Sequence, residues 1–357
     1  MSAIAPTSST YAAARRTFLA AAEAARVDVT HHPHPLPGRE GEDLAVDVVE
    51  LGDPAARDVV VVVSGTHGVE GYAGSALQTG LLQHQPALPG GVALVLVHAL
   101  NPFGMSWVRR VNEDNVDLNR NFVDWSRPAP HNVEYDDVAD LLVPDSWTAE
   151  EQERTFQALF ARASEVGLDE FQRIVSGGQY HHPTGIFYGG TGPVWSHRWL
   201  RQWSADRLAQ AERVAMIDLH TGLGPWGHGE LIVSDPTTSP ACQRAAAWWG
   251  DVRSMVDGAS VSALVAGDWQ ATAGELAPQA EMTTVTIEYG TRDPITVLQA
   301  LRADAWLHAH GDPRGAESAA IRDAVRHAFD DPSQEWIDLL WDRCVPVVES
   351  ALTHLAG

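Results

Sequence analysis

Two histidines and a glutamate stand where a chain of strands and helices can do metal chemistry. His67 and Glu70 lie in the loop Gly65-Thr66-His67-Gly68-Val69-Glu70, and His220 follows far downstream in Asp218-Leu219-His220-Thr221. Each group comes directly after a strand-like apolar run, Val59 to Val63 in one case and Val214 to Ile217 in the other. Ligands at the ends of buried strands face a common crevice in open α/β sheets. Two imidazoles and one carboxylate hold a catalytic zinc ion while leaving a coordination position for water. Ser64-Gly65-Thr66 lets the backbone turn sharply and aim both nearby side chains into one site. His131-Asn132-Val133-Glu134 repeats the His-x-x-Glu spacing, but it lies near Pro128 and Pro130 with no strand leading into it, and reads as a surface segment. A ligating imidazole is usually oriented by a carboxylate on its other nitrogen, and Asp117 and Asp218 are the candidates. Strand alternation puts Asp218 and His220 on one face.

Between the two halves of this cluster runs a second chemical signal. Asn101-Pro102 is followed by Arg109-Arg110 and then by Val116-Asp117-Leu118-Asn119-Arg120-Asn121-Phe122. The chain carries only 24 Lys and Arg against 47 acidic residues, yet three arginines fall between positions 109 and 120. A guanidinium fork grips a carboxylate bidentately, and an Asn amide beside it adds a donor. Arg109, Arg110, Asn119 and Arg120 therefore read as a pocket for a substrate carboxylate or a developing oxyanion.

The elements that must position these groups alternate between strand and helix. Tyr11 to Arg26 reads as an amphipathic helix capped by Thr10, and the His- and Pro-rich stretch from His31 to Gly38 as a break in regular structure. Leu44 to Leu51 alternates like an edge strand, whereas Val59 to Val63 and Val92 to His98 are uninterrupted runs suited to buried strands, with a helix over Gly71 to His84 between them. The sheet resumes at Arg213 to Leu219, Glu230 to Ser234 and Thr283 to Tyr289. Helices over Pro294 to His310, Glu317 to Phe329 and Pro332 to Leu355 follow. This order predicts an α/β three-layer sandwich around a mostly parallel, mixed sheet. The expectation for residues 1–357 is one domain, with a helical and aromatic insertion at about 124–211.

The totals exclude several partners. A formal charge of −23 repels nucleic-acid phosphates and anionic membrane surfaces. The opening Met1-Ser2-Ala3-Ile4-Ala5-Pro6 lacks a basic segment followed by an apolar stretch, and Cys242 and Cys344 are too few for a disulfide framework. A soluble, cytoplasmic protein is the expectation.

Together, His67-x-x-Glu70, the 116–122 string, His220 and Thr286-Ile287-Glu288-Tyr289-Gly290 resemble the zinc carboxypeptidase superfamily. The chain looks like its bacterial branch of carboxypeptidase-like hydrolases. Asn101-Pro102, Asp218-Leu219-His220-Thr221 and Glu288-x-Gly290 lean toward the related aspartoacylase and succinylglutamate desuccinylase group. The match spans roughly residues 58 to 123 and 213 to 291, with the motifs in the expected order. The resemblance implies one Zn2+ per chain held by His67, Glu70 and His220, with Asp117 orienting His67. It implies Asn119 and Arg120 on the substrate carboxylate, Arg110 or alternatively Arg109 on the scissile carbonyl, and Glu288 as the catalytic carboxylate. The implied substrate is a small peptide, or an N-acyl amino acid, with a free carboxylate. The departures are the long interval from Glu70 to His220 and the 124–211 segment, which has no counterpart in the pattern. The implied activity is hydrolysis of a peptide or peptide-like amide. N-acyl amino acid deacylation and non-catalytic carboxylate binding are the alternatives.

Overall fold

The computed structural model describes residues 4–262 and 264–357, so the first three residues of the opening segment lie outside it. Its centre is a sheet of eight strands: β1 Val29–Pro33, β2 Ala45–Leu51, β3 Asp58–Ser64, β4 Val92–His98, β5 Arg213–Trp226, β6 Gly229–Val233, β7 Val252–Ser254 and β8 Glu281–Gly290. They lie in the order β1-β2-β4-β3-β5-β8-β6-β7. The middle run β4-β3-β5-β8 is parallel, while β1 on β2, β2 on β4 and β6 on β8 are antiparallel. The Val59–Val63 run is wholly buried because helices cover both faces. Alternation along the strands divides the core. Val60, Val62, Ile217 and Ile287 pack under Phe18, Leu77 and Trp336 of the helices Tyr11–Ala25, Gly71–His84 and Gln334–Leu355. Val59, Val61, Val63 and Met216 pack on the other side against Leu200 and Trp203 of the helix Trp195–Arg207, and against Trp269. The result is the three-layer α/β sandwich expected from the alternation of elements.

Two expectations at the sheet edge are corrected. The His- and Pro-rich stretch does not begin with a break: Val29 to Pro33 forms the outermost strand, paired residue by residue with β2. An edge strand needs only half its backbone groups, so Pro33 is tolerated at its end. Leu44 to Leu51 consequently lies one strand in from the edge, which explains why Asp47 is buried, held by Arg15 and His31. The segment 124–211 contains the helices Ala149–Val166, Leu168–Ser176 and Trp195–Arg207. It shares a third apolar cluster, with Tyr135, Leu159 and Ile174, with Leu301 and Phe329 of later helices. No helix among the described residues is long and apolar enough to cross a membrane.

Burial leaves a pH signature away from the candidate site. It depresses the imidazoles of His98 and His197 to about 4 and that of His308 to about 3, the latter two aided by nearby arginines. These rings stay neutral in the folded chain while the unfolded chain protonates them near pH 6.5, so the unfolded state binds more protons in between. Stability present at pH 7 is therefore lost as pH falls through about 6.5 toward 4. His98→Gln, which can keep a hydrogen bond to Ser75, is expected to recover on the order of 1–2 kcal/mol of that loss. Denaturant midpoints of both proteins at pH 7 and pH 4.5 check this, and equal losses would remove His98 from the account.

Candidate metal centre and its cavity

The loop after β3 carries the first two groups of the cluster. Gly65 takes φ +68, and a Cβ on Gly68 would stand 2.0 Å from the backbone of Gly104, so the loop can pass there only with glycine. Gly68 and Val69 donate their N–H groups to the carbonyls of Arg110 and Arg109, which ties the arginine segment to this loop. Glu70 precedes the first turn of the buried helix Gly71–His84, where unpaired N–H groups favour negative charge. His220 and Glu288 come from adjacent parallel strands, directly opposite one another in the register of β5 and β8.

The side chains then converge. The Nδ1 atoms of His67 and His220 lie 3.1 Å apart, and they lie 2.9 Å and 3.0 Å from the two oxygens of Glu70. On the far sides of the rings, His67 Nε2 faces Asp117 Oδ1 at 3.1 Å and His220 Nε2 faces Asp218 Oδ2. All five groups are buried. A carboxylate can only accept, so Asp117 and Asp218 behind the rings favour a proton on each Nε2, the tautomer that a metal ion at Nδ1 requires. The two Nδ1 lone pairs are thereby turned toward each other and toward the Glu70 carboxylate. Three electron-rich groups facing inward need a shared positive charge. Without a metal a proton serves: against the opposing pull of burial, Asp218 and Glu70 hold the His220 imidazole well above its usual range. Likewise the imidazoles overcome burial and hold the Glu70 carboxyl well below the carboxylate range. The donor set, two imidazoles and a carboxylate with neutral tautomers fixed from behind, fits a divalent cation of the zinc type. Among the described residues it is the one group of histidines, cysteines and acids close enough to share an ion. His131 and Glu134 are not part of such a group; His131 faces Asp136 and Glu134 faces Arg173.

Around the cluster the structure brings the other expected residues together with one exception. Arg110 Nε donates to Asp117 at 2.9 Å and Nη1 to Glu70 at 3.2 Å, which places its guanidinium beside the cluster. Arg120 is buried, and its donors reach only the carbonyls of Ser176 and Asn119. Burial lowers its pKa despite the Asp117 charge nearby. Both guanidinium carbons stand 5.3 Å from the centre of the Phe187 ring. Asn119 lies on the same wall with a buried side-chain oxygen that has no partner. Glu288 accepts a hydrogen bond from Leu223 N at 2.9 Å, and burial together with the Glu70 charge pushes its carboxyl up to about 7. His67, Arg110, Asn119, Arg120, His220 and Glu288 line one cavity of about 1090 Å3. Arg109 is the correction: it turns away to Asp304 at 2.9 Å and Asn115 at 2.8 Å, and is absent from the cavity wall. Consecutive side chains of an extended segment project to opposite sides, so only one of the two arginines can face the cluster.

Two supporting groups, Thr66 and Trp269, escaped sequence reading. Thr66 Oγ1 and Trp269 Nε1 both donate to Asp218, which fixes the carboxylate behind His220. Phe187 braces both arginines. Thr66 adjoins His67, but Trp269 lies 51 residues from its partner and carries no local pattern.

Residues 7–343 match the model of a family described as "Protein of unknown function (DUF2817)". No curated protein matches the sequence. Among solved structures, the chain is similar to bovine thrombin-activatable fibrinolysis inhibitor in complex with tick carboxypeptidase inhibitor. Identity is 11%, with 97% of this chain and 96% of that chain covered and a TM-score of 0.53. It is also similar to carboxypeptidase A from Helicoverpa armigera, at 13% identity, 89% and 73% coverage and a TM-score of 0.47. A third is succinylglutamate desuccinylase from Chromobacterium violaceum, at 16%, 92% and 75%, and 0.38. At such identities the likeness is one of fold.

Proposed function

This chain belongs to the DUF2817 family, and from the chemistry of its own cavity we propose that it is a zinc-dependent hydrolase of an amide bond next to a carboxylate-bearing residue. The observation that carries the reading is the convergence of three metal donors, two of which, His67 and His220, line one cavity together with an acid and two arginines. His67, Glu70 and His220 would hold the ion, which when bound supplies Lewis-acid polarisation of the carbonyl and a more acidic water. Arg120 and the Asn119 side-chain N–H grip the substrate carboxylate, the guanidinium as a charged fork and the amide as a neutral donor. Arg110 donates to the carbonyl oxygen as it gains negative charge, a donor type worth on the order of 3 kcal/mol. Glu288 accepts a proton from the attacking water and delivers it to the departing nitrogen. A carboxyl held near 7 suits both halves of that transfer. The C–N bond breaks and the products are an acid and an amine.

Zinc analysis of the purified protein, with a panel of dipeptides and N-acyl amino acids, tests this reading; cation-free and inert protein after reconstitution overturns it. The anchor has its own test. Against an acid and its carboxamide, the native protein is expected to prefer the acid, and Arg120→Ala to erase that preference by roughly a hundredfold, since an isolated buried charge pair is worth ~2–5 kcal/mol. An intact preference would place the carboxylate elsewhere.

A further inference from the structure

The cavity is far larger and more apolar than a short substrate needs. Its volume is about 1090 Å3, at the upper end for sites that enclose a whole drug-sized molecule. One wall is built by the helices Ala149–Val166 and Leu168–Ser176, which turn Phe156, Phe160, Leu168 and Phe171 into it; Ile295 and Leu298 face them from the helix Pro294–His310. Phe171 and Leu298 pack against the third apolar cluster, but three of these side chains stand largely open: Phe160 is 58% exposed, Leu168 75% and Ile295 53%. Single exposed apolar side chains are ordinary on a protein surface, but several gathered round the mouth of one cavity mark a binding surface. Arg110, Asn119 and Arg120 meet the metal donors on the wall, and Asp169, Gln172, Arg292 and Asp293 interrupt the apolar lining. A charged region joined to a long hydrocarbon wall describes the two ends of an amphiphile.

We infer that the substrate is a long-chain N-acyl amino acid. Its carboxylate sits on Arg120 and Asn119, its amide at the His67, Glu70 and His220 cluster, and its alkyl chain runs along the apolar wall to the rim. This rests on the hydrolase reading above and narrows its substrate. The wall itself favours alkyl over peptide. A peptide laid along Phe156, Phe160, Leu168 and Leu298 would press N–H and C=O groups against hydrocarbon wherever Gln172 or Asp293 does not reach them, which is costly, whereas an alkyl chain has none to satisfy. The reaction is balanced by water alone: water adds across the C–N bond to give a fatty acid and a free amino acid.

The test compares N-acetyl, N-octanoyl and N-dodecanoyl derivatives of one amino acid, below their micelle-forming concentrations. Binding is measured by calorimetry on the metal-free protein, and hydrolysis on the zinc-loaded protein. Each buried methylene is worth up to about a fourfold gain in affinity, so the expected rise from acetyl to dodecanoyl exceeds a hundredfold. Phe160→Ser with Leu168→Ser, both exposed positions, is expected to leave the thermal midpoint and acetyl binding unchanged and to weaken dodecanoyl binding about tenfold. Affinity independent of chain length, or a gain that survives intact in the double variant, overturns the inference. The two readings fail separately. Turnover of the acetyl compound or of a dipeptide with flat chain-length dependence sinks only this one, while no hydrolysis of these derivatives or of the dipeptide panel sinks the hydrolase reading on which it rests.

Discussion

Glu288→Gln is expected to keep its zinc and lose turnover by about a thousandfold or more. The substitution is nearly isosteric, and the amide oxygen can still accept from Leu223 N, so the local backbone should hold. What disappears is the ability to take a proton from water and return it to the leaving nitrogen. General acid–base groups commonly contribute ~10²–10⁴ in rate, and here one side chain serves both transfers. Glu288 stands opposite His220 in the strand register but is absent from the group of three donors, so metal content should not follow activity. Elemental analysis and single-turnover rates on the same preparation separate the two. A variant that turns over at near-native rate would falsify the assignment of Glu288.

How far the sequence could be read depended on whether the physics was local. The runs Val59–Val63 and Val92–Val97 announced themselves because both faces of those strands are covered, so every residue in them is apolar. His67 and Glu70 were visible because a glycine-framed turn ends such a strand, and His220 because another strand leads into it. Partnerships across the fold were less legible. The stretch from His31 read as a break since its prolines and histidines match turn chemistry, yet an edge strand accepts them when β2 is there to pair with. The three-residue β7 is too short to leave a period. Arg109 and Arg110 are indistinguishable by type, and only the crossing of the Gly68 loop decides which faces the metal donors. The apolar wall from Phe156 to Phe171 has the ordinary texture of amphipathic helices, and nothing in its spacing says that its apolar face meets a cavity instead of a core. The same holds for Trp269, whose indole bond to Asp218 exists only once β5 and the 268–270 turn are brought together.

Removing one donor tests the centre itself. In His67→Ala the inward-facing set falls from three groups to two, and Asp117 loses the ring that it holds, although Arg110 still pairs with it at 2.9 Å. Two remaining donors bind zinc far more weakly, so metal content is expected to fall from about one per chain toward zero under dialysis that leaves the native protein loaded. A linked stability effect follows. An ion that binds only the folded chain stabilises it by RT ln(1 + [L]/Kd), about 4 kcal/mol at a thousandfold excess over Kd. The native protein should therefore show a zinc-dependent rise in its thermal midpoint, and His67→Ala almost none. Because the alanine leaves a small void beside Glu70, its metal-free midpoint is to be compared with that of metal-free native protein, so that packing and metal effects stay apart. Full zinc occupancy in the variant, or an equal thermal response, would mean that the ion, if any, sits elsewhere and that the facing Nδ1 atoms of His67 and His220 are held together by a shared proton alone.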